Sequence, residues 1–128
     1  MALVNATGFA VVAAGAVFGA WGRWLLGIWL NTPGRVLPWG TLAANLIGGL
    51  LIGAVAAWLA RHPQLDPAWR LFLVTGLLGA LTTFSSFSIE SLGMMQRGQF
   101  MLALVHTLLH VVGSLAAAAV AFAFVSRL

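Results

Sequence analysis

The chain has 128 residues, 62% of them hydrophobic and 6% charged, and its mean hydropathy is +1.04. This composition excludes a soluble globular domain and marks an integral membrane protein with room for four spans of about 20 residues. The net charge of +4 comes from six arginines scattered singly, which leaves no basic patch for nucleic acid, and the lack of cysteine removes disulfides, thiol nucleophiles and thiolate metal sites.

Hydropathy and punctuation predict one all-α membrane domain over residues 1–128, with helices at about 6–30, 39–60, 69–97 and 100–126. The first span carries no charge before Arg23, so it lacks the basic start of a cleaved signal and is expected to remain. Asn31-Thr32-Pro33-Gly34 and Pro38 separate it from the second, Arg61-His62-Pro63 through Asp66-Pro67 separates the second from the third, and Arg97-Gly98 makes a tight last turn. Trp21, Trp24, Trp29, Trp39, Trp58 and Trp69 gather near these turns, where amphipathic rings anchor at the headgroup level. Gly15 and Gly19 form one GxxxG pair and Gly49 and Gly53 another, which points to close helix packing and to nothing more specific.

Polar side chains inside the spans are few, and each is costly in hydrocarbon unless it faces the bundle. In the second span Thr41 and Asn45 lie four apart with Gly48 and Gly49 on the same face, so Asn45 reads as an interhelical hydrogen bond or as an amide donor to an anion. The third span holds the densest feature, Thr82-Thr83-Phe84-Ser85-Ser86-Phe87, whose hydroxyls imply a path, a bound ion or a helix interface. Gly76 and Gly79 just upstream predict that the backbone leaves the helix there. Glu90 follows about two turns on, as a proton carrier or a hydrogen-bonded structural group. On the fourth span His106, His110 and Ser114 form one stripe; the two histidines have zinc-pair spacing but lack a full ligand set, which favours a pore-facing or packed stripe.

Arg61, Arg70 and Arg127 fall on one side of a four-span chain, and Arg23, Arg35 and Arg97 on the other. With no bias to set orientation, both insertions become available, and an antiparallel dimer is the natural assembly. Catalysis finds no support: there is no nucleophile elbow, HExxH, phosphate loop or carboxylate pair, so the chain is not expected to be an enzyme.

The run from Gly76 to Phe87, with Gly40-Thr41-Leu42-Ala43-Ala44-Asn45 and Gly22-Arg23-Trp24, resembles the Fluc/CrcB fluoride channels over essentially the whole chain. The resemblance implies a dual-topology homodimer in the inner (plasma) membrane, with a third helix broken near the membrane centre and two parallel pores. They would passively export fluoride that enters acidified cells as HF. By motif position it implies pore roles for Asn45, Phe84 and Phe87, a vestibule role for Arg23, and a structural sodium ion held by the backbone carbonyls of Gly79 and Thr82 from both subunits. Thr83, Ser85, Ser86 and Glu90 would supply the polar side of the track. Without the family, the spacing of Phe84 and Phe87 is that of ordinary core packing.

The fourth span departs from the family's tyrosine and serine with His106 and His110. Either histidine can donate to fluoride through a ring N–H, and protonation near neutral pH would make conduction pH-sensitive. The competing class, a proton-coupled small multidrug-type transporter, needs a carboxylate in the first span, where this chain has none.

Overall fold

The computed structural model describes residues 4–128, and among them the regular secondary structure is all helical, with four helices long and apolar enough to cross a membrane. Helix α1 (Ala6–Leu30) starts at Asn5, whose Oδ1 accepts the Gly8 N–H at 2.8 Å. Helix α2 (Trp39–Arg61) is tied to the end of α1 by Asn31, whose Oδ1 accepts the Gly40 N–H at 2.7 Å. That bond satisfies one of the free amides at the α2 start, where Pro38 offers no side-chain cap.

The third span is built in pieces. Asp66 caps a short turn, α3 (Pro67–Arg70), by accepting the Ala68 N–H at 2.8 Å, and Pro67 fills the first helical position, where a missing N–H costs nothing. The chain then widens into a π-helical stretch, Leu71–Leu78, and returns to α geometry as α4 (Gly79–Leu81). Thr82 (φ −80, ψ 155) and Thr83 (φ −149, ψ 118) are extended, so the helix is interrupted halfway along the span before α5 (Phe84–Gln96) resumes. Thr83 caps that second half: its Oγ1 accepts the Ser86 N–H at 3.1 Å.

The interruption therefore lies three residues beyond Gly79, and Gly76 and Gly79 keep ordinary negative φ. Gly76 is needed for a close approach instead: a Cβ there would sit 2.6 Å from the Val12 carbonyl oxygen. Across the same contact, a Cβ on Gly15 would collide with the Phe72 carbonyl oxygen and one on Gly19 with that of Leu77. The first GxxxG pair thus seats α1 against the π-helical stretch, and the second seats α2 against helix α6 (Phe100–Val125), where Gly49 meets Ser114 and Gly53 meets Ala118.

The turn from α5 to α6 uses Gly98 at φ 74, with the Gly98 N–H on Met95 O at 2.9 Å and the Gln99 N–H on Met94 O at 2.9 Å. This paired closure requires the left-handed conformation that glycine tolerates best. Outward faces are apolar and little covered: only 11% of the α1 core window and 6% of the α6 window are buried. That surface suits lipid or another hydrophobic chain rather than water.

Candidate functional site

The interruption at Thr82-Thr83 creates the site, because extended backbone in a membrane span must find new hydrogen-bond partners. Asn45, one helix away on α2, supplies them: its Oδ1 accepts the Thr83 N–H at 2.8 Å, and its Nδ2 donates to Thr83 O at 3.0 Å. A continuing helix would have sent the Thr83 N–H to Gly79 O and the Ser86 N–H to Thr82 O. Those amides go instead to Asn45 and to Thr83 Oγ1. The carbonyls of Gly79 and Thr82 are thereby released from their helical partners, and this fits the donor set expected for a cation held by backbone oxygens. Between them, Ala80 O accepts from Arg23 Nε at 3.1 Å, a cation at the carbonyl end of the interrupted helix.

Two cavities meet at Thr83. The larger, about 580 Å³, is lined by Asn45, Gly79, Thr82, Thr83, Phe84, Phe87 and His110 together with apolar residues of α2 and α6. The smaller, about 390 Å³, is lined by Arg23, Thr41, Thr83, Ser86 and Glu90, with Trp24, Gly27, Ile28 and Asn31. Phe84 is 76% exposed and Phe87 8%, with ring centroids 5.3 Å apart. Phe87 accordingly is packed while it also lines the larger cavity, and it stacks on His106 at 5.4 Å with 17° between the planes.

Beyond the cavities, Ser85 reaches Thr83 Oγ1 at 3.2 Å, and Ser86 Oγ lies 3.1 Å from that same oxygen. Glu90 Oε1 accepts from Thr41 Oγ1 at 2.6 Å, while its Oε2 lies 3.4 Å from His106 Nε2. His106 Nδ1 faces Ser91 Oγ at 3.0 Å, and His110 Nδ1 faces Asn45 Nδ2 at 2.9 Å. Glu90, His106 and His110 thus form a tight cluster, in which Glu90 is the one carboxylate the sequence offered to the two histidines. Glu90 Oε2, His106 Nε2, His110 Nε2 and Ser114 Oγ are buried without a hydrogen-bond partner.

The links from Thr41 to Glu90 and from Ser91 to His106 went unnoticed in the sequence. Thr41 was visible on the Asn45 face of α2, but the pairing joins positions 49 residues apart, and no periodicity encodes that. The Trp24, Gly27 and Asn31 side of the smaller cavity was likewise missed, because tryptophans near a turn read as interface anchors.

Sequence comparison agrees with this architecture. The family described as "CrcB-like protein, Camphor Resistance (CrcB)" matches residues 10–122. A relative from Marinobacter nauticus named "Fluoride-specific ion channel FluC" is 54% identical over 111 residues, 87% of this chain and 88% of its own. Proteins of the same name from Aromatoleum aromaticum, 49% identical over 95% of this chain and 93% of their own, and Chromohalobacter salexigens, 57% identical over 82% and 80%, are similar as well. These relatives carry the name of an ion channel and not of an enzyme. With nearly its whole length matched and its four spans in place, the chain belongs to the CrcB family.

Proposed function

We propose that this chain is a passive, fluoride-selective channel of the cell (inner) membrane that exports cytoplasmic fluoride, working as an antiparallel homodimer with two pores. The observation that carries the reading is the Asn45-strapped interruption at Thr83, which places phenyl rings, an amide and hydroxyls around one span-buried point between two cavities. The names of its relatives favour fluoride as the ion.

The residue chemistry suits a small anion. A phenyl ring presents a positive edge, so Phe84 and Phe87 attract fluoride weakly, and weak attraction lets the ion leave again. Arg23 draws anions into the smaller cavity, and hydroxyls of Thr83, Ser85 and Ser86 replace part of the hydration shell. Glu90, held by Thr41, completes the polar side. The carbonyls of Gly79 and Thr82, with those of a second subunit, would hold a structural sodium ion, whose charge would satisfy the released oxygens and favour anions nearby. Phe84, exposed beside the larger cavity, marks the side on which the second subunit would close the pore.

Fluoride efflux from liposomes, read by a fluoride electrode after adding a potassium ionophore, tests the proposal with chloride as control. Rapid voltage-driven fluoride release without chloride release is the expected result. Release that requires a pH gradient, or none from folded protein, would overturn it.

A further inference from the structure

Asn45 does more than hold Thr83. The Thr83 N–H is a donor that cannot be anything else, so the Asn45 atom it meets at 2.8 Å is the carbonyl oxygen. The other end of the same amide is then the NH₂ group, and it faces both Thr83 O at 3.0 Å and His110 Nδ1 at 2.9 Å. Facing an NH₂ hydrogen, His110 Nδ1 must accept, and a neutral imidazole that accepts at Nδ1 carries its proton on Nε2. We infer that the backbone of Thr83, acting through Asn45, locks His110 in its Nε2–H form, making it a fixed hydrogen-bond donor for an anion at the Phe84–Phe87 cavity.

A further observation points the same way. His110 is 95% buried, a 5% exposure, yet its Nε2 has no partner, so a donor is held dry with nothing to donate to. Such a group costs free energy until an acceptor arrives. His106 is compatible with the same form without being fixed to it: Ser91 Oγ, 3.0 Å from Nδ1, can donate or accept, and when it donates the His106 proton sits on Nε2, toward Glu90 Oε2. Within the cluster of Glu90, His106 and His110, His110 therefore presents an N–H where a metal ion would need a lone pair, since a metal-binding histidine must send its other ring N–H to an acceptor and His110 Nδ1 faces a donor. Donor chemistry toward an anion is what this arrangement provides, and zinc binding is what it opposes.

The tautomer stands on geometry alone, whereas its service to an anion rests on the fluoride reading above. Long-range nitrogen–proton NMR of the protein with ¹⁵N-labelled histidine, compared with His110→Gln to assign the signals, reads the tautomer directly. The expected spectrum has His110 Nδ1 unprotonated and Nε2 protonated, unchanged by excess Zn²⁺. Asn45→Asp offers Nδ1 an acceptor and is expected to move the proton to Nδ1. A His110 that carries Nδ1–H in the parent, or a Zn²⁺-dependent shift of its ring nitrogens, overturns the inference even if fluoride flux is normal.

The anion role is tested by flux. His110→Gln keeps an N–H donor near Nε2 and is expected to stay within about threefold of the parent, while His110→Leu drops about tenfold. Equal flux in both variants overturns the donor role. A parent that carries no fluoride refutes the channel reading and the anion role with it, while the spectrum still decides the tautomer.

Discussion

Asn45 pairs with Thr83 as a neighbouring strand would, accepting from its N–H at 2.8 Å and donating to its carbonyl at 3.0 Å. Extended residues in a sheet find these partners in the next strand, but here one amide side chain supplies donor and acceptor together. No other side chain present at the interruption replaces both halves.

Asn45→Ala removes both partners from buried backbone, a loss of about 2 kcal/mol. Thermal unfolding in detergent is expected to shift down, and fluoride flux to fall with it, since the cavity walls on either side of Thr83 lose their brace. Unchanged stability would mean that water or another residue has taken over the pairing.

Phe84 is largely exposed, so replacing it leaves little cavity behind. Phe84→Leu is expected to keep the melting temperature within a few degrees while lowering fluoride flux about tenfold or more, because an aliphatic side chain has no positive edge. Flux equal to the parent's would remove the ring edge from the mechanism.

Gly15 allows α1 to touch the π-helical stretch, and any Cβ there collides with the Phe72 carbonyl. Gly15→Val is expected to destabilise by about 2 kcal/mol or more, read as a lower unfolding midpoint and poorer yield of folded protein.

Exchanging sodium for a bulky organic cation is expected to lower the unfolding temperature by a few degrees in a concentration-dependent way, as loss of a bound ligand does. Insensitivity to the cation would leave the carbonyls of Gly79 and Thr82 to another partner.

His110 lines the larger cavity and Glu90 the smaller, and both cluster with the titratable His106. Where falling pH protonates His110, the parent's flux is expected to change relative to that of His110→Ser, because added positive charge holds an anion harder and costs the Asn45 bond. Parallel profiles would exclude His110 as the source of any pH dependence.

Much of the architecture was legible, because hydropathy over long windows reports helices that face lipid whatever they pack against. The interruption near the middle of the third span was legible from its glycines and hydroxyls, and its particular residues were not. Gly76 and Gly79 read as weak points in a helix, but Gly76 serves contact with Gly15, and the extended residues are Thr82 and Thr83, which have a partner in Asn45. That partner lies 38 residues away, and pairing over such a separation leaves no trace in local periodicity. Glu90 was legible as the one carboxylate near the two histidines, but its contact with His106 was not, since α5 and α6 bring them together only after the Gly98 turn.

The π-helical stretch Leu71–Leu78 holds slack that the rest of the bundle depends on. Wide winding stores more chain per turn than α winding, so rewinding the same eight residues as ordinary helix would add turn and rotate everything downstream. Thr83 would then swing away from Asn45, and the hydroxyls would face a different neighbour. The winding of these eight residues thus sets the phase at which Thr83 meets Asn45.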